Sequence, residues 1–101
     1  MSVTVERGYI KMTNGGVDTW EGSVEPVFYR WKGATTAAHT CVLKDGQGRE
    51  CYAGLADGEN YLDIKAHPQP KHGSDVVNDL TLTTMESGVL EVHYRKIKPA
   101  S

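Results

Sequence analysis

The chain has 101 residues, 39% of them hydrophobic and 24% charged, with 11 lysines and arginines against 13 aspartates and glutamates and a formal net charge of -2. That length suits one domain spanning residues 1–101, and apolar residues recurring along the whole chain exclude an intrinsically disordered polymer. The near-neutral balance argues against a general polyanion binder. No run approaches the ~20 apolar residues of a membrane-spanning helix.

Residues 1–6 (Met-Ser-Val-Thr-Val-Glu) have neither the charged nor the apolar region of a signal peptide, so the expected setting is cytoplasmic or virion-associated. Next, Thr13-Asn14-Gly15-Gly16 separates Tyr9–Met12 from Val17–Trp20. Asn-Gly supplies the two positive-φ positions of a type I′ turn, which predicts a hairpin between those runs. From Pro26 to Lys32 the residues alternate, placing Val27, Tyr29 and Trp31 on a dry face and Phe28, Arg30 and Lys32 on a wet one. Pro26 just precedes this run, where a missing N–H costs least. Ala34–Ala38 reads as a loop rather than a short helix, because its threonines disfavour helix.

Asp45–Gly48 and Asp57–Asn60 mark two further reversals, around Thr40–Leu43, Glu50–Leu55 and Tyr61–Ile64. Three strands so connected form a meander. The prolines between Ala66 and Gly73 forbid helix and favour an extended loop. Ser74–Met85 is ambiguous. Ser74 could cap a helix striped by Val76, Val77, Leu80 and Thr84, but Leu80–Thr84 is rich in β-branched residues and favours a strand. Near the C-terminus Leu90, Val92 and Tyr94 share one face, and Glu91, His93 and Arg95 share the wet one. Cross-strand charge pairing accounts for His93 there. The expected fold is all-β, a small antiparallel β-sandwich or barrel of about eight short strands. An α+β fold with one short helix near residues 74–86 is the runner-up.

The candidate chemistry is sparse. Cys41 and Cys51 flank a predicted turn and read first as reduced, partly buried thiols; a cross-strand disulfide depends on register. His39 and Cys41 share a strand face, and Cys51 with His67 or His72 could complete a tetrahedral zinc set. No C-x2-C or H-x3-H pair anchors that idea. His67 and His72 bracket the proline-rich loop and lack an evident partner carboxylate for base catalysis. There is no G-x-S-x-G, P-loop or dinucleotide fingerprint, and no motif requires a cofactor.

Two stretches mix cations with aromatics. Phe28, Arg30 and Lys32 form one, and Tyr94 and Arg95 lie in the other; on a sheet they could stack a base and track phosphates. Trp20 and Trp31 could alternatively form a sugar platform, although tryptophans in small domains are usually core. The leading expectation is a non-catalytic β-rich interaction or assembly module. It would be a structural subunit or accessory protein, such as a virion component, that oligomerises or binds another protein through exposed Phe28, Tyr61 and Ile97. The alternatives are a small zinc-binding protein or metal-dependent enzyme using His39, Cys41 and Cys51, and a barrel that binds single-stranded nucleic acid.

Overall fold

In a computed structural model of the chain, residues 3–59, 61–67 and 75–99 are described. Eight strands run in order: β1 (Val3–Glu6), β2 (Tyr9–Met12), β3 (Thr19–Ala34), β4 (Thr40–Lys44), β5 (Glu50–Leu55), β6 (Tyr61–Ala66), β7 (Val77–Met85) and β8 (Val89–Pro99). Every pairing is antiparallel, in the order β1-β2-β8-β3-β7-β4-β5, with β6 pairing β3 off that path. The expected small all-β fold is present, and no helix occurs among the described residues. One strand is far from short: β3 has 16 residues and organises the rest.

β3 pairs with β8 along most of its length, whereas its other edge is shared. Residues 19–24 pair with β7 and residues 28–34 with β6. The hand-over lies at Pro26, where the ladder shifts on both sides of the proline. Pro26 therefore sits inside the strand and not ahead of it. Proline lacks the N–H that a regular ladder needs, and a bulge is one place where a sheet tolerates it. The bulge also shifts the alternation. Val24 and Pro26 face inward before it and Tyr29 and Trp31 after it, leaving Val27 44% exposed rather than on the dry face.

The inward rows form one apolar cluster. Its largest members are Trp31, Tyr29 and Tyr52, packed with Ile10, Leu43, Leu80, Leu82, Leu90 and Val92, all at most 1% exposed. Trp31 donates its indole N–H to the Ser87 carbonyl at 2.9 Å, so its polar atom is satisfied. Trp20 is also buried, and neither tryptophan is placed to stack a sugar.

Three local expectations need correction. The Asn14-Gly15 segment does not close a hairpin, because β2 pairs with β1 and β8 while β3 pairs elsewhere. Neither Asn14 nor Gly15 has a positive φ; Gly16 does, at 79°. Asp18 organises the turn instead, its carboxylate accepting the Thr13 and Asn14 N–H groups at 2.9 and 2.8 Å. Gly15 is required for close approach, since a Cβ there would lie 2.1 Å from the Met85 nitrogen. Secondly, the β4-β5-β6 meander stops after β5, and β6 crosses to β3.

Of the ambiguous segment, Val77–Met85 forms β7, the strand that its β-branched residues favour. Asp79 takes a φ of 56°, a conformation costly for non-glycine residues, and its carboxylate accepts the Gly22 N–H at 3.1 Å. This irregularity sets inward-facing Val77 and Leu80 three residues apart, which mimics helical spacing in an extended chain. Finally, Glu91 points to the same face as Arg30, as alternation predicts, but is covered there instead of wet. It is 4% exposed.

Candidate functional site

Alternation along β3 sends adjacent residues into two polar networks on opposite faces. Tyr29 points inward, and its hydroxyl lies 2.7 Å from His67 Nδ1. His67 Nε2 lies 2.7 Å from an Asp75 carboxylate oxygen, which also meets Arg49 Nη2 at 3.3 Å. Arg49 Nε in turn reaches Asp45 at 3.1 Å. Donation from Nε2 to Asp75 and acceptance at Nδ1 from the phenol fit both contacts. The His67 hydrogen bond, helped by Arg49 and opposed by burial, holds the Asp75 carboxyl below its usual range.

This relay has the composition of a nucleophile–histidine–carboxylate triad, but Tyr29, in the nucleophile's place, is fully buried. Burial, together with the neighbouring Cys51, pushes the Tyr29 phenol far above its ordinary pKa, so it stays protonated. Burial likewise pushes the Cys51 thiol up to about 11 and the Cys41 thiol up to about 12. A protonated thiol or phenol is a poor nucleophile.

The other face carries a different network. The register of β2, β8, β3 and β6 aligns Tyr9, His93, Phe28 and Ala66 in one row. Lys11, Glu91, Arg30 and Ile64 form the next row, followed by Val89, Lys32 and Leu62. In the first row the His93 ring stacks on Phe28 at 4.2 Å and on Tyr9 at 5.0 Å. Its Nε2 lies 2.9 Å from Glu91, which also meets Lys32 Nζ at 3.1 Å and Arg30 Nη1 at 3.6 Å. Burial alone would raise the Glu91 carboxyl. The His93 and Lys32 hydrogen bonds and the two cations outweigh it and hold the group below its usual range.

β6 completes this face inside out. Leu62 and Ile64, 50% and 58% exposed, point away from the core, while Asp63 and Lys65 point the other way. The Tyr52 hydroxyl donates to Asp63 at 2.6 Å, and Lys65 Nζ donates to the Ala53 carbonyl at 3.0 Å. These polar residues join β6 to β5 across a gap without a backbone ladder. A one-residue slip of β6 would bury both aliphatic side chains and break both bonds. The polar staples therefore hold the leucine and isoleucine in water.

The residues singled out in the sequence divide among several places. Phe28, Arg30 and Lys32 lie together on the outer face, whereas His67 lies behind it in the relay. Tyr94 packs against the core and donates its hydroxyl to the Glu6 carbonyl at 2.8 Å, while Arg95 pairs with Glu25 at 3.1 Å. His39 binds the Ser87 hydroxyl at 2.7 Å, outside β4. Cys41 pairs with Gly54, three positions along β5 from Cys51, which puts the cysteines about 10 Å apart along the strand. Both are free thiols, and that separation is too wide for a disulfide. Among the described residues, no three metal-ligating side chains converge. His72 lies outside the described residues. Tyr61 and Ile97 pack against the core and are not exposed anchors.

Sequence reasoning missed Leu62, Ile64 and the burial of Glu91. The alternation in β6 was readable, but nothing local says which set faces out. Comparison of the chain with protein-family models, curated proteins and solved structures finds no match. No helix among the described residues is long and apolar enough to cross a membrane.

Proposed function

We propose that this chain is a non-catalytic β-rich interaction module that docks onto another polypeptide through the outer face of β2, β8, β3 and β6. The inverted strand carries the reading: Leu62 and Ile64 stand in water while the polar residues between them are bonded to β5. A contiguous exposed apolar patch on a small protein commonly marks an interface. Beside it lie an arginine and a row of aromatic rings, the residue types over-represented where binding energy concentrates. The stacked rings and the buried Glu91 hold the face rigid before a partner arrives, which lowers the ordering cost of association.

A nucleic-acid reading draws less support. The His93 ring is covered by Phe28 and Tyr9, and two of the cations already face Glu91. A displayed library of random peptides, selected on the native chain and counter-selected on an L62D/I64D variant, tests the proposal. Enrichment of sequences that bind the native chain and not the variant is the expected result. Equal recovery on both proteins refutes it.

A further inference from the structure

Resting on that docking reading, we propose that the partner segment is acidic: it sets one or more carboxylates on Arg30 and Lys32 and apolar side chains on Leu62 and Ile64. The charge on the face is lopsided. Across β2, β8, β3 and β6 the rows hold Lys11, Arg30 and Lys32 against Glu91; the next carboxylate on this side, Glu6 of β1, is exposed beside Tyr9 at the edge away from β6, although the whole chain has a net charge of -2. Glu91 is 5% exposed at its side chain, so a partner meets the cations and not the carboxylate. Arg30 and Lys32 are 38% and 45% exposed at theirs. Each turns part of its charge to Glu91 and keeps outward N–H donors, because guanidinium carries five and ammonium three. Glu91 thus pins two long, flexible cations at defined positions without covering them, and this prepays part of the entropy that a surface ion pair normally loses.

The register places an aliphatic group beside each cation, since Arg30 pairs with Ile64 and Lys32 with Leu62. Positions two apart on one strand are about 6.6 Å apart, the repeat of an extended peptide. A partner strand lying along β3 and β6 would meet the cations at alternate residues. The aliphatic row lies about 4.8 Å to one side, within reach of the same segment. Like-charged surfaces are disfavoured there, so the same patch selects against basic partners.

Three synthetic peptides with identical leucines and with glutamate, glutamine or lysine at the alternating positions test this directly, together with an oligothymidylate. Amide chemical shifts of the isotope-labelled chain report where each one binds. The glutamate peptide should shift residues 30, 32, 62 and 64 and bind about tenfold tighter than the glutamine peptide at low salt, a difference of ~1.4 kcal/mol. Added salt should erase that margin, as should R30Q/K32Q. Equal binding of glutamate and glutamine peptides overturns the acidic partner while leaving the docking face standing. Tighter binding by oligothymidylate at the same amides overturns it in favour of nucleic acid. If none of the four shifts the face, the docking reading falls and this inference falls with it.

Discussion

Tyr29 and Arg30 are neighbours in β3, and each anchors a polar network with a histidine and a carboxylate. The inner network joins Tyr29, His67 and Asp75, and the outer one joins Arg30, Glu91 and His93. Their difference lies in what surrounds the charged partners. In the inner network the phenol is fully buried and His67 is 5% exposed, so loss of a partner strands a polar atom away from water. In the outer network the carboxylate is buried and its cations remain half in solvent. The inner set is therefore closed off from solvent, and the outer set keeps its cations within reach of it.

The largest expected effect separates packing from polar contact at Tyr29. Tyr29→Ala should cost roughly 3–5 kcal/mol, because a fully buried ring leaves a cavity. Tyr29→Phe keeps the ring and removes the hydroxyl that meets His67, so it should cost about 1–3 kcal/mol. Urea unfolding of both variants reads the two terms. A Tyr29→Phe variant as stable as the native chain would break the contrast between the networks.

Glu91→Gln should be milder at neutral pH, about 1–2 kcal/mol, since Arg30 and Lys32 regain water when the carboxylate is neutralised. Its pH signature is sharper. The folded carboxyl titrates below its unfolded counterpart, so the charged form favours the folded state. That contribution is complete above the ordinary carboxylate range and disappears as pH falls through the folded value. Between about pH 5 and pH 3 the native chain should lose more stability than Glu91→Gln, as followed by thermal unfolding at each pH. Parallel curves would show that Glu91 is not held by its cations.

The smallest effect on folding belongs to the exposed row. Ile64→Lys should change stability by no more than about 0.5 kcal/mol while abolishing binding of selected peptides. A large loss of stability would mean that Ile64 is part of the core and not of a docking face.

Much of the strand content was legible because period-two alternation and glycine-rich turns are local signals. Phe28, Arg30 and Lys32 could be placed on one face for the same reason. The relay was not legible, since His67, Asp75 and Arg49 meet Tyr29 only when β3, the start of β5 and the flanks of residues 68–74 converge. The burial of Glu91 was not legible because alternation predicts a direction for a side chain and says nothing of what stands above it. Two cations from β3 and a histidine two residues along β8 covered it.

By itself, the amino-acid sequence determined a chain of short alternating runs, and with it an all-β fold whose β3 presents Tyr29 and Arg30 to opposite sides. The tertiary structure alone decided that β6 leaves β5 for β3, that Pro26 marks the hand-over between β7 and β6, and that Leu62 and Ile64 face water. Strand pairing is chosen among distant segments by register and side-chain contacts, here the bonds of Asp63 and Lys65 to β5. Those contacts exist only once the chain has folded over itself.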